Sequence, residues 1–547
     1  MTETAGPPKP SFYGATAIMA ASTFLSRILG LVREQVFAYF FGAGTATDAF
    51  QIAFRIPNLL RDLFAEGAMS SALVPVYTRL QRERGEEAAW RLVSNVVTTL
   101  ALLLCGVSLI GILCADPLVS LFASAFSEVP GKHEMTVAMT RILWPFLPLV
   151  VMAAVWMGVL NSREIFGIPA LAPTFFNLVS LASAFTICPL VAHYTGYPMI
   201  YGWAAGATLG GLAQWLVQVP ALRKEGFRYH PVLEPLDPSL QRMVVLMGAG
   251  TFGLAATQVN VLVSSTLAAS QGEGAVSWLY FAFRLMQFPI GVFGVAISTA
   301  NFTKVSKEAA AGNFKAVSDS LRDALRMVIV LTLPSSVGLA IVGIPIISVI
   351  YQHGRFLAND TYQSSLALAG YSLGLCAYSA NRVMVPVLYS LGKSKSAVWN
   401  SSLGMILNVA LCFSLIGPLG FTGLALALSG AALLNSLVLL WVLQGHLKQI
   451  DFKNLSICLL KTVSACLFMA IFVYVFLGFL DAQPFRPIIL TGVWDKANFA
   501  TRLFFLLAAL GIGISTFALA GRMLRLQELE RIQGLIWKRL RIRKGQP

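Results

Sequence analysis

Runs of about twenty mostly apolar residues recur along nearly the whole chain, parted by short polar loops. A bilayer core about 30 Å thick is spanned by about 20 helical residues. Fourteen such runs stand at 14–41, 48–78, 92–114, 136–160, 169–192, 199–222, 243–268, 276–302, 325–351, 362–391, 397–416, 420–444, 455–480 and 499–522. The second carries Pro57, which removes a helix hydrogen bond and predicts a kink there. The pattern therefore predicts an all-α polytopic membrane protein of about 14 transmembrane helices.

Charge in the loops tests the count. Loops reached after an even number of crossings hold Arg79, Arg82, Arg84 and Arg91, then Arg163, then Arg223, Lys224 and Arg228. Lys304, Lys307, Lys315, Arg322, Lys393, Lys395, Lys448 and Lys453 follow on that side. The opposite side holds little beyond Lys132, Arg355, Arg486 and Lys496. This asymmetry is the positive-inside pattern and puts both termini in the cytoplasm. One miscounted helix would scramble it.

Composition agrees. The chain has 547 residues, 56% hydrophobic and 12% charged, against about 25% charged in soluble domains. The net charge of +15 sits between apolar runs rather than on one soluble face, which excludes a nucleic-acid partner. Met1–Ser11 is polar and proline-rich, and we expect no cleavable leader. The seven cysteines form no CxxC pair, and the five histidines form no zinc-type spacing.

The first two runs are unusual because they carry charge at membrane depth. Arg27, Arg33 and Glu34 fall in the first; Asp48, Arg55, Arg61, Asp62 and Glu66 fall along or beside the second. A charge near the bilayer centre costs about 2.5–3.5 kcal/mol, so it requires a partner or a water-filled cavity. Arg27 and Glu34, seven apart, share a helix face with Gly30 between them. Asn58, Arg61 and Asp62 follow Pro57. Clustered arginines suit a multiply charged anion, because the guanidinium fork matches phosphate and carboxylate oxygens. The alternative is a self-neutralised network, Arg27 or Arg33 with Glu34 and Arg61 with Asp62 or Glu66. Positive charges exceed negative ones, which favours an anion. Asp48 and Glu66 are expected to orient arginines or cap helix ends, and Ser277 to cap the eighth helix.

A repeat organises the rest. Ala53-Phe54-Arg55-Ile56 recurs as Ala282-Phe283-Arg284-Leu285, 229 residues on and six helices away. An even number of helices makes the repeat parallel. It predicts an N-lobe at 14–222, a C-lobe at 223–444, and two appended helices at 445–522. These lie between a 1–13 tail and a basic 523–547 tail expected to rest on anionic lipid. At this offset Arg27, Arg33 and Arg61 face Ala256, Leu262 and Ile290, so the cationic positions belong to the N-lobe.

The segments SRILGLVRE, FGAGTATDAF, RIPNLLRDLFAEGAMSSALVPVY and SWLYFAFRLMQFPIGVFGVAI resemble the signature segments of the MurJ (MviN) family of lipid II flippases. That family lies in the multidrug/oligosaccharidyl-lipid/polysaccharide exporter superfamily, and the resemblance covers essentially the whole chain. It implies a V-shaped, MATE-like pair of six-helix lobes plus two helices in the bacterial inner membrane. It implies alternating access that carries undecaprenyl-pyrophosphate-linked disaccharide-pentapeptide to the outer leaflet. The family's cavity arginines map onto Arg27, Arg33, Arg61 and Arg284, its functional aspartate onto Asp48, and its polyprenyl groove onto the last two helices. The chain differs by having Glu34 and Asp62 where the family often has aspartate and a basic residue. Phe283 and Gln287 replace acidic neighbours of the helix 8 arginine.

The expected partners are lipid II and membrane lipids, met by a monomer that uses no cofactor. A coupling cation is left open, since the oxygens of Gln258, Asn260 and Asn408 serve interhelical hydrogen bonds equally well. A drug exporter of the same superfamily is the alternative; it would use intramembrane acids and usually twelve helices. A membrane enzyme would need an acid/base or metal constellation that the sequence lacks.

Overall fold

The computed structural model describes residues 12–64, 68–447, 450–480, 494 and 497–530, and among these every element is helical. Expected site residue Glu66, most of the N-terminal tail and the basic tail beyond 530 lie outside the described residues.

The first two spans are α1 (Phe12–Phe41) and α2 (Thr45–Phe64). α2 remains helical through Pro57, where the proline pattern had predicted a kink. Its ring is buried against neighbours, so the lost hydrogen bond is tolerated in place. α3 (Ala68–Leu113) turns at Gly85, φ 84° and ψ 178°, a conformation open to glycine. It therefore holds the extension of the second span and nearly all of the third span. The third span ends in α4 (Ala115–Phe122).

Most later spans are pairs of helices broken near one end. They are α5 (Lys132–Leu143) with α6 (Phe146–Ser162), α7 (Gly167–Phe185) with α8 (Ile187–Thr195), and α9 (Ile200–Leu216) with α10 (Val219–Lys224). α11 (Pro238–Ala269) follows. Next come α12 (Ala275–Pro289), a π-turn at Ile290–Gly294 and α13 (Val295–Ala310). Then stand α14 (Phe314–Ile341), α15 (Gly343–Tyr351), α16 (Ala358–Ser372) and α17 (Leu375–Ser390). α18 (Ser394–Leu447) folds back at Gly420, φ 57°, and so supplies two spans; α19 (Phe452–Gly478) and α20 (Phe499–Met523) close the chain. Each expected span thus coincides with helix. Eight helical stretches among the described residues are individually long and apolar enough to cross a membrane.

The chain forms two compact units, 1–258 and 259–547. In the first, Phe37 packs its ring 5.2 Å from Phe41 and Phe50 and 5.1 Å from Trp203, joining α1, α2 and α9. In the second, α14, α19 and α20 share an apolar core that includes Val330, Cys466, Met469, Ala509 and Phe517.

Contacts within each unit bear out the alternation of the loops. At one end of the first unit Arg163 meets Glu86 at 3.0 Å and Glu225 at 2.6 Å, and Asn95 donates to the Glu234 carbonyl at 2.8 Å. These residues come from three loops that the count placed on one side. At the other end Lys132 meets Asp48, and His133 meets Asp116, each at 2.9 Å. The second unit behaves alike: Ser306 and Ser390 hydroxyls touch at 3.1 Å at one end, and Trp278 Nε1 donates to Asp360 at 3.0 Å at the other.

The repeat extends far beyond the four-residue match. Moving α5 on by 229 residues lands its last residue, Leu143, on Ser372, the last residue of α16. The same shift carries α6 onto α17, α4 onto α15, and the Gly85 turn onto the start of α14. Two units with matching element ends are therefore written in parallel along the chain.

Candidate anion-binding site

The charged stretch of α1 is held by close packing. A Cβ at Gly30 would stand 3.6 Å from the Asn177 amide on α7, and that amide donates to the Ser26 carbonyl at 3.0 Å. On the helix so placed, Arg27 is exposed. Arg33 is half-buried: its guanidinium contacts Glu34 at 2.6 Å and lies 5.1 Å from the centre of the Phe176 ring. Glu34 is buried. The seven-residue spacing had grouped Glu34 with Arg27, but the structure pairs it with its chain neighbour Arg33.

On α2, Arg61 donates from Nε to Asp62 at 3.0 Å, and Asp62 also accepts from the Gln258 amide at 3.2 Å. Asn58 Oδ1 is buried with no hydrogen-bond partner among the described residues. Arg33 thus meets Glu34 and Arg61 meets Asp62, and Arg27 adds a further positive charge. These pairs partly neutralise the stretch without cancelling it. In the second unit Arg284 is exposed on α12, its guanidinium 5.2 Å from the centre of the Tyr280 ring. Ser277 is fully buried in the first turn of that helix. Six residues after Arg284 the helix opens into the π-turn, a form enriched at functional sites.

Asp48 has a lysine as a partner. It is fully buried in the first turn of α2, and its carboxylate accepts from Lys132 Nζ at 2.9 Å. Lys132 is 1% exposed and lies 4.1 Å from the centre of the Phe126 ring. Sequence reasoning had counted Lys132 as a loop residue. A signal was present: a deep aspartate requires a counter-charge, and the positive-poor side offers few.

Arg163, counted earlier only as a loop charge, is the hub of the opposite end. It reaches Glu225, Glu86 and the Tyr77 hydroxyl and lies 5.3 Å from the centre of the Trp90 ring. Burial alone would weaken its hold on the proton; the hydrogen bonds to Glu225, Tyr77 and Glu86 outweigh this and raise its pKa.

For a coupling cation, Asn408 donates to Asn260 Oδ1, and its amide lies 3.4 Å from Ser264 Oγ. Among the described residues no three histidine, cysteine or acidic side chains gather as a metal set.

Residues 37–490 match the family model described as Lipid II flippase MurJ. The chain is 33% identical over 429 residues to the probable lipid II flippase MurJ of Vibrio cholerae, covering 77% of this chain and 81% of that one. It is 33% identical over 434 residues to the lipid II flippase MurJ of Burkholderia cenocepacia, covering 78% and 83%. Among solved structures it resembles a lipid II flippase MurJ in an inward closed conformation, with TM-score 0.75 and 25% identity over 93% of this chain and 99% of that one. An inward-facing MATE family multidrug transporter of the MOP superfamily shares the fold at TM-score 0.66 and 12% identity, over 80% of this chain and 98% of that one.

Proposed function

The chain belongs to the lipid II flippase MurJ family, and we propose that it carries lipid II across the inner membrane by gripping the pyrophosphate with Arg27, Arg33, Arg61 and Arg284. The observation that carries this reading is the surplus of guanidinium over carboxylate on α1 and α2. A pyrophosphate is at least a dianion, and arginine forks supply paired donors to its oxygens. Glu34 and Asp62 hold Arg33 and Arg61 in place until phosphate competes for them. The α19 and α20 faces that expose Leu460, Leu467, Ile471, Phe479, Leu507 and Ile514 supply an apolar surface for the polyprenyl tail.

Movement follows alternating access, with the units 1–258 and 259–547 as the moving bodies. An unloaded positive site feels about 2.3 kcal/mol per charge per 100 mV. In a cell negative inside, that bias returns the empty carrier to its inward-open state. Collapsing the potential in reconstituted vesicles slows multiple turnovers; an unchanged rate refutes the voltage-driven reset. Both termini lie in the cytoplasm, a reading supported by the loop charges and by the loops that meet through Arg163.

Complementation of a flippase-depleted bacterium tests the main reading. The wild type rescues growth, and well-expressed Arg27→Ala, Arg33→Ala, Arg61→Ala and Arg284→Ala variants do not. Rescue retained without the arginines would reduce them to structural ion pairs.

A further inference from the structure

We propose that Lys132 is a positioning residue for transport: with Asp48 it forms a buried charge pair that fixes the end of α2 and serves the transport cycle rather than the fold. The inference rests on the flippase reading for what α2 carries.

Three observations lead to it. The pair is dry, with Asp48 at 0% and Lys132 at 1% exposure, 2.9 Å apart. It joins the first turn of α2 to the first turn of α5, whose helices pack against each other. α2 is a single 20-residue helix with Arg55 and Arg61 further along it, so whatever fixes Asp48 also fixes the axial position and rotation of those arginines. Thirteen residues of helix place Arg61 about 20 Å along the axis from the pair.

The repeat supplies the decisive comparison. At the 229-residue offset Asp48 becomes Ser277 and Lys132 becomes Thr361. Both are fully buried, in the first turns of α12 and α16, which also pack against each other. The second unit therefore builds the same helix junction with hydroxyls at these two positions, beside the hydrogen bond from Trp278 to the Asp360 carboxylate. An ion pair is not what this junction requires in order to form. Its retention in the unit that holds three of the four candidate arginines points to the cycle.

The test transplants the second unit's chemistry into the first. The full-length Asp48→Ser/Lys132→Thr double variant is purified beside the wild type, Lys132→Thr and Lys132→Arg. Flipping of lipid II in proteoliposomes is measured over a range of lipid II densities. The double variant is expected to melt within a few degrees of the wild type and to flip at least tenfold more slowly. That loss should lie in the maximal rate more than in the half-saturating density. Lys132→Arg, which keeps the charge, should retain most of the rate. A double variant that flips at the wild-type rate overturns the proposal. A double variant that fails to fold or melts far lower also overturns it, because the pair would then hold the fold. The melting arm needs no substrate. A wild type that does not flip lipid II would refute the flippase reading alone, leaving that arm to judge the pair.

Discussion

Where α2 meets α5 in the first unit, Asp48 and Lys132 are buried as a charge pair; where α12 meets α16 in the second, the same two positions hold Ser277 and Thr361, with the Asp360 carboxylate beside them accepting from Trp278. α2 and α12 begin within one residue of each other at the repeat offset, and α5 and α16 end at corresponding residues, so the two junctions share a plan and differ in chemistry. Desolvating an ammonium and a carboxylate costs several kcal/mol each, and their attraction only roughly repays it. The neutral junction reaches the same fold without that exchange. A charge pair adds rigidity of a directional kind, because neither partner can move without leaving the other unpaired in a dry site. The unit with the pair is also the one that carries three of the four candidate arginines.

The comparison is broken most severely by removing one partner. Lys132→Ala takes the ammonium away from the buried Asp48 carboxylate, a loss of about 3–5 kcal/mol. Thermal melting in detergent should show it, and a Thr361→Ala variant in the matching place should cost far less. If the two variants lose the same stability, the junctions are energetically alike and the charge carries no special weight.

The second unit has a charge pair of its own, elsewhere. Arg326 on α14 meets Glu528, beyond α20, at 2.6 Å, and Glu528 is 3% exposed. Arg326→Ala should cost about 3 kcal/mol, at the lower edge of the buried-pair range because the arginine keeps some solvent. Proteolysis should then release the segment after Met523 before the helices melt. Resistance equal to the wild type would mean that apolar packing of Leu526 and Leu529 alone holds that segment.

Close backbone approach separates one pair of repeat positions too. A Cβ on Gly202 in α9 would stand 2.6 Å from the Cys188 Cα of α8, and backbone cannot swing aside as a side chain can. The position 229 residues on is Ala431, which is buried without difficulty. Gly202→Ala should therefore cost about 1–3 kcal/mol by overpacking. Ala431→Gly should cost less, about 1 kcal/mol, through lost helix propensity. Equal melting shifts would deny the difference in helix approach.

What could be read in advance follows from range. Span number and alternation depend on runs of about twenty residues and on loop charge, both local, and the structure agrees with them. Breaks such as Trp144–Pro145 between α5 and α6 divide a span without changing its side, so hydropathy passes over them. Charge pairing was less legible because the partner is chosen by packing. The sequence left Glu34 between Arg27 and Arg33, and the structure sets it against Arg33. Asp48 finds Lys132 across 84 residues, a distance over which no motif speaks. Ser277, expected as a cap, lies inside the first turn because Gly274 holds the N-cap position of α12; its small buried hydroxyl gains meaning only beside the aspartate in its repeat partner.

The smallest expected effect lies where the polarity is reversed. Asn408 on α18 donates to Asn260 on α11, whereas the corresponding first-unit residues are Val179 and Leu31. Here the second unit is the polar one. Hydrogen bonds between membrane helices average about 0.6 kcal/mol, because the alternative partners in the unfolded chain are almost as good. Asn408→Val should therefore shift the melting temperature only slightly, despite full burial of the asparagine. A cycle of Asn408→Val, Asn260→Leu and the double variant isolates the pair. Coupling near 0.6 kcal/mol would mark an ordinary helix–helix contact. Coupling several times larger would show that this polar seam, like the Asp48–Lys132 pair opposite it in the repeat scheme, is maintained for more than adhesion.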